Sequence, residues 1–529
     1  MLAKVQSAVL SGIEATIVQV EVELRKGPRK FVIIGMGDSA VQESRERIMA
    51  SLRSLPIELP DQITVNLAPA SVRKVGTCLE LSIAIGVLAA MGDIPLDTLH
   101  QTFFLGELSL DGTLKAIPQH LALLLSILQQ EPSCILTPHI PLPESLHCNQ
   151  TFVAGVNSIE HARSVLRGEA SLEWGGLPYS DDSVNEELLL DEVAGLHFAK
   201  RALEIALAGG HNILLSGPPG CGKSMLLRRA QFLAPPLSTS EVLEVAQIYS
   251  LAGASLKGVL QGRAPFRSPH HSVSRAALAG SSARGIPHPG EFSLSHRGIL
   301  FLDEMPEFSR GSLEALRGPL EEGVVSIARA GGEQSFPAQF QLLAAMNPCP
   351  CGTNAGENAK SSSDYNQSYN CRCSASSILR YQERISQPLR ERFDIRCVIS
   401  SKVDAKNRIM PLLSSDITDC AGLRSLARPV SRKEHDETFE RIKRGRNRML
   451  DRQGRLNRWL SNNDLVQVIQ LKDSDQSYLT EAANKARLSM RSITKLLRVA
   501  RTIADIDDVE QVTKDELQEA LLYQQATMT

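Results

Sequence analysis

The segment GPPGCGKS at residues 217–224 constrains this chain more than any other feature. It meets the spacing G-x-x-x-x-G-K-[ST] at every position. Gly217, Gly220 and Gly222 allow backbone N–H groups to close around phosphate oxygens, because a residue without Cβ can turn sharply and approach closely. Pro218, Pro219 and Cys221 fill the variable positions of the loop. Lys223 has the reach and charge for β- and γ-phosphates, and the Ser224 hydroxyl is a hard ligand for Mg²⁺. The context is also right. The apolar run NILLSG precedes the loop as a buried strand, and MLLRRAQFL follows it as a helix whose positive dipole end faces the loop. A chance glycine turn would not bring both flanks with it. ATP and Mg²⁺ are the expected cofactors.

A second segment completes the site. GILFLDE, residues 298–304, is a four-residue apolar strand that delivers Asp303 and Glu304 to its carboxyl end. Ligands of parallel α/β sheets bind at that end. Asp303 is expected to hold the Mg²⁺ water shell, and Glu304 to orient and deprotonate an attacking water. FQLLAAMN brings Asn347 out of another strand. Its amide can hold the water or the γ-phosphate; the alternative is an asparagine capping a turn.

The rest of the 529 residues divides by pattern. Residues 1–176 alternate strand and helix signals: TIVQVEVEL at period two, KFVIIGMG, ITVNLAPA, the apolar helix LELSIAIGVLAA and a hairpin in FFLGELSLDGTL. This reads as a self-contained α/β domain. A polar linker spans 177–189. Residues 190–402 carry the parallel-sheet pattern, with a Ser/Asn-rich insertion around Ser361–Tyr369. Residues 403–529 are helical and charged. The net charge of −2 gives no overall pull toward nucleic acid, so any basic surface has to be local. No apolar run reaches bilayer length, and the first residues lack the continuous apolar stretch of a secretion signal. Ten cysteines in so long a chain make no disulfide scaffold. A reducing cytoplasm, without membrane attachment, is the expected location.

Four cysteines cluster as Cys349-Pro-Cys351 and Cys371-Arg-Cys373. Two close pairs of thiolates can complete a tetrahedral Zn²⁺ shell; free thiols or a redox pair are the alternatives.

Taken together, VNLAPASVRKVG, AKRALEIALAGGHNILLSGPPGCGKS, FRSPHHSVS, HPGEFSLSHRGILFLDEMPEF, AAMNPCPCG and VARTIADI resemble the magnesium-chelatase-like AAA+ ATPases of bacteria, specifically the YifB/ComM group. The resemblance covers nearly the whole chain. It implies a Lon-protease-like N-terminal domain, an AAA+ core of the helix-2-insert and pre-sensor-hairpin type, and a helical lid. It makes Asn347 the sensor-1 residue. In RERFDI it makes Arg392 an arginine finger that serves the neighbouring subunit, and in SMRSITKLLRVARTIADI it makes Arg491 sensor 2. A finger supplied in trans implies a ring, a homo-hexamer. Relatives carry the same paired cysteines, which implies a structural zinc knuckle.

The same resemblance points to DNA, branched or single-stranded, as partner. VVSIARAGGEQSFPAQFQLLAAMN is similar to the pre-sensor hairpin of the MCM helicases, with Arg329 as the basic residue facing the pore. The helix-2 insert would span about 244–295 and hold Arg263, Arg267, His270, His271, Arg275, Arg284 and His288. The two histidines could instead hold a metal, but without acidic companions loop packing is the better reading. The N-terminal domain has Thr77 and Cys78 where a Lon protease has its serine, and Lys115 lies too early for the dyad lysine. A scaffold or docking role is expected there. The function implied is an ATP-driven branch-migration motor in homologous recombination and natural transformation. The alternative is a protein-remodelling ATPase of chelatase or Lon-like type.

Overall fold

The computed structural model describes residues 2–11, 13–35, 39–69, 77–117, 119–142, 151–177, 187–283, 286–329, 332–352, 371, 373–399 and 432–525. It contains the expected α/β layers, with a parallel-sheet core and a helical C-terminal region. Most of the 177–189 linker, Arg284, Ser361–Tyr369 and the start of the lid lie outside the described residues.

The N-terminal sheet has seven strands: β1 (Leu2–Ser11), β2 (Glu14–Arg25), β3 (Lys30–Ile34), β4 (Gln62–Ala68), β5 (Thr102–Phe104), β6 (Cys134–Thr137) and β7 (Phe152–Gly155), in the order β7-β6-β5-β1-β2-β4-β3. The period-two pattern of β2 buries Val18, Val20 and Val22 on one face. The helix Glu80–Met91 lies on that face and is buried along almost its whole length. Gly86 permits the close approach: a β-carbon there would stand 2.6 Å from Cγ2 of Val22. The expected hairpin forms only over Glu107–Lys115.

The core sheet is wholly parallel. Its strands, with two hairpins inserted between them, are β8 (Ile213–Ser216), β9 (Phe266–Arg267), β10 (Gly280–Ala283), β11 (Ile286–Pro289), β12 (Ile299–Leu302), β13 (Val324–Arg329), β14 (Gly332–Pro337), β15 (Gln341–Met346) and β16 (Ile395–Val398). The order is β9-β12-β15-β8-β16, with β10–β11 and β13–β14 as separate antiparallel hairpins. Strands β8, β12 and β15 are buried on both faces, as covered parallel strands must be.

Both flanking parts are tied to this core. The helix Met490–Ile506 buries Leu496, Val499, Ala500 and Ile503 in one apolar cluster with Leu203, Ile205 and Ala206 of the helix His197–Gly209. Arg201 adds polar links to Asp507 at 2.5 Å and Glu519 at 3.1 Å. On the other side the N-terminal domain docks on the helix Thr239–Ala252. Ala122 N donates to Ser250 Oγ at 3.1 Å, and Gln119 Nε2 and Gln247 Nε2 bond carbonyls across the junction. Val242, Val245 and Ile248 of that helix join the apolar core of the N-terminal sheet. The domain that reads as self-contained in sequence therefore shares its core with a helix of the ATPase part. No helix among the described residues is long and apolar enough to cross a membrane.

Gly86→Val is expected to lower the unfolding free energy by about 1–3 kcal/mol, because the added atoms have no space above Val22. A denaturant titration that leaves the midpoint unchanged would contradict this packing.

Candidate nucleotide site

The site forms where β8, β15 and β12 end side by side. Ser216 pairs with Met346, and Leu302 with Ala344, so Gly217, Asn347 and Asp303 leave the sheet at one edge. The loop 217–222 turns through two left-handed glycines, Gly220 (φ 72°) and Gly222 (φ 92°). The helix Lys223–Arg228 begins at the lysine. Gly217 is needed for a close approach: a β-carbon there would lie 2.9 Å from the Ile399 carbonyl oxygen.

Lys223 is 7% exposed. Its Nζ donates to the carbonyls of Gly217 at 2.7 Å and Pro218 at 2.8 Å, and to Asn347 Oδ1 at 3.2 Å. Burial pulls its pKa below the usual lysine range, while Cys221, Asp303 and Glu304 oppose the shift. Ser224 Oγ donates to Asp303 Oδ1 at 2.9 Å. Two residues past the end of β12, Glu304 takes a left-handed conformation (φ 49°), costly for a residue with a side chain. Its N–H donates to Asp303 Oδ1 at 3.0 Å, and its carboxylate turns out to the cleft, 58% exposed. The cleft measures about 400 Å³ and is lined by Pro219, Gly220, Gly222, Lys223, Ser224, Met225, Asp303, Glu304 and Asn347, among others.

His271 is a contributor that the sequence reading missed. Its Nδ1 is 3.9 Å from Glu304 Oε2. Its ring packs on His270, with centroids 4.0 Å apart, and edge-on to Phe308. The packing was legible in the sequence; the approach to Glu304 depends on how the loop after β9 folds back. A second difference concerns the basic insert. Residues 244–295 are not one insertion, because β9 is the edge strand of the core sheet. Arg267 within it is held by Glu291 through two bonds of 2.7 Å. It is a neutralised structural pair and not a free cation.

Among the described residues that line the cleft, neither Arg392 nor Arg491 appears. Both lie instead at Glu321, on the helix Arg317–Glu322. The four cysteines do converge, with all sulfurs within 4.8 Å of one another. Arg329 ends β13, paired with Gly332 at the hairpin tip, and its side chain lies outside the described residues.

Comparison with known proteins shows the family. Residues 189–407 match the family described as magnesium chelatase, subunit ChlI; residues 20–140 match subunit ChlI of Mg-chelatase, and 433–524 match the ChlI C-terminal region. The uncharacterized protein YifB of Escherichia coli is 37% identical over 97% of this chain and 95% of its own length. Competence protein ComM of Haemophilus influenzae is 36% identical over 99% of this chain and 97% of its own. The chain belongs to the YifB/ComM family. DNA replication licensing factor Mcm2 of Drosophila melanogaster is more distant, 25% identical over 40% of this chain and 21% of its own length.

A YifB/ComM-family chain is an AAA+ ATPase of the magnesium-chelatase type, and the cleft suits ATP and Mg²⁺. A buried ammonium stands beside left-handed glycines, as a phosphate group requires. A hydroxyl and a carboxylate oxygen 2.9 Å apart form a hard, all-oxygen pair suited to Mg²⁺.

The arginine cluster rests on one carboxylate. Arg392 is buried, with Nη1 bonded to the Pro388 carbonyl and Nη2 to Glu321; Arg491 approaches the same Glu321 oxygen at 3.7 Å. Burial lowers the Arg392 pKa, and the neighbouring Arg491 and Arg317 lower it further. Glu321→Gln is expected to cost about 1–2 kcal/mol of stability, since two adjacent cations lose their counter-charge at a half-exposed position. Added salt should shrink the difference. Equal stability of the two proteins at low salt would show that Glu321 does not hold the cluster.

Proposed function

We propose that this ATPase is a ring motor, a homo-hexamer, that moves along branched or single-stranded DNA and drives branch migration in homologous recombination and natural transformation. The observation that carries the reading is a pair of packed hairpins joined to the nucleotide site. Gly280 of β10 meets β13 so closely that a β-carbon would stand 2.5 Å from Cδ1 of Ile327. Hairpin β13–β14 then runs on into β15, which ends at Asn347 beside Lys223. A change at the phosphate end of β15 can therefore move the hairpin tip, where Arg329 sits. Basic residues at such a tip give phosphate binding without sequence readout. Relatives named for competence and for DNA replication licensing support a DNA substrate.

In this reading Lys223 neutralises phosphate charge, Ser224 and Asp303 hold Mg²⁺, Glu304 orients and deprotonates water, and Asn347 fixes the position of that water. Mg²⁺, when bound, supplies charge neutralisation at the phosphates. Arg392, held at Glu321 and away from its own cleft, would act as the arginine finger of a neighbour's site, which calls for a ring, and Arg491 beside it as sensor 2. Residues 1–176 serve as docking module, 190–402 as motor and 403–529 as lid, in the cytoplasm. The cluster Cys349, Cys351, Cys371 and Cys373 binds structural Zn²⁺. The rival reading, remodelling of a partner protein, draws on the chelatase descriptions of the matched families.

Glu304→Gln is expected to bind ATP normally and to hydrolyse it about 10²–10⁴-fold more slowly, because only the base is removed. Wild-type turnover in a steady-state ATPase assay would remove Glu304 from the chemistry. Arg329→Ala is expected to weaken DNA binding uniformly across sequences, lower the salt slope by about one unit and abolish branch migration, while DNA-independent ATPase persists. Unchanged DNA affinity and slope would favour the protein-remodelling reading.

A further inference from the structure

The cysteine cluster touches the phosphate loop. Gly352, the residue after Cys351, takes a left-handed conformation (φ 79°) and lies so close to the loop that a β-carbon would stand 2.7 Å from Cδ of Pro219. Its N–H closes a turn onto the Cys349 carbonyl at 2.9 Å. At the other end of this short stretch Asn347 accepts from Lys223 at 3.2 Å. Pro348 accepts from Gln382 Nε2 at 3.2 Å. Residues 347–352 therefore grip the nucleotide loop at two points, Lys223 and Pro219.

The sulfur geometry shows what can fix this stretch. Cys349 Sγ is 3.3 Å from Cys351 Sγ and 3.7 Å from Cys371 Sγ, and Cys351 Sγ is 3.5 Å from Cys371 Sγ. A tetrahedral zinc with bonds of about 2.3 Å places its sulfurs about 3.8 Å apart. One disulfide would use two sulfurs and leave the others crowded beside it. A single soft divalent cation satisfies all four.

We propose that the metal held by Cys349, Cys351, Cys371 and Cys373 is a structural part of the nucleotide pocket: by fixing the turn 349–352 it seats Gly352 against Pro219 and holds the phosphate loop in its binding shape. This rests on the reading of the cluster as a zinc site. Pro219 has no N–H to donate, so the packing against its ring bears on its position. Gly352 supplies that packing, and the Cys349 and Cys351 thiolates on the same turn set where Gly352 lies. Loss of the metal should therefore weaken nucleotide binding even though none of the four cysteines is among the described residues lining the cleft.

The test measures zinc content and the affinity of a fluorescent ADP analogue on the full chain, with Mg²⁺ in excess and folding followed by circular dichroism. The paired change Cys371→Ser and Cys373→Ser is expected to remove zinc and to weaken binding roughly tenfold. Gly352→Ala is expected to keep zinc and to weaken binding by a similar factor, because its β-carbon needs the space of Pro219 in a strained conformation. Wild-type affinity in a folded, zinc-free cysteine variant overturns the proposal. So does wild-type affinity in Gly352→Ala, which decides the matter alone if the cysteine variant does not fold. Wild-type protein that binds the analogue fully and contains no zinc overturns the metal reading itself, a separate outcome.

Discussion

The site depends on the placement of one strand. β15 lies between β8 and β12, so the phosphate loop and the Asp303–Glu304 pair are not neighbours in the sheet. Strands in a sheet are about 4.8 Å apart, so two spacings separate the ends of β8 and β12 by about 10 Å. That gap is the cleft. The first turn of the helix Lys223–Arg228 spans it from above, which lets Ser224 reach Asp303, and Asn347 rises in the middle, within reach of Lys223. With β8 directly beside β12 there would be no room between cation and carboxylates, and no amide between them.

The arginine segment is held by a different set of forces. Lys495, from the helix Met490–Ile506, donates to the carbonyls of Glu391 and Phe393. Burial lowers its pKa to about 8. Asp394, next in the chain, is buried as well; burial would raise its pKa, but Lys495, His211 and Arg458 outweigh that and keep it low. A lid helix thus fixes the backbone on either side of Arg392, while Glu321, from the core, holds its guanidinium. Because Arg491 begins the same lid helix and meets the same Glu321, a rotation of the lid would change both arginines together.

Legibility in the sequence followed the range of the interactions. The loop 217–224, the strand 298–304 and the strand before Asn347 are local patterns, each with its own physical logic, and the structure brings them to one edge. The order β9-β12-β15-β8-β16 is set by pairing between distant segments, so no local pattern contained it. Short elements failed for the same reason. β9 has two residues and no periodicity, so Arg267 read as one of several basic residues in an insert, although its strand pairs with β12 and its charge is met by Glu291. The approach of His271 to Glu304 and the shared role of Glu321 are contacts across the fold, which single-chain patterns do not encode. No local pattern in Thr239–Ala252 showed that the N-terminal sheet would cover its apolar residues.

One covalent stretch connects what otherwise look like separate features. From residue 324 to 352 the chain forms the hairpin β13–β14, crosses the sheet as β15, presents Asn347 to Lys223, turns through Cys349 and Cys351 and ends with Gly352 on Pro219. The middle of this stretch is rigid, since β15 is buried on both faces and paired on both sides. A displacement at either end therefore has little room to be absorbed within the strand. The stretch touches the phosphate segment at two points, Lys223 and Pro219. In the proposed motor this makes β15 the route by which nucleotide state reaches the hairpin, and it makes the cysteine turn the anchor against which that movement is measured.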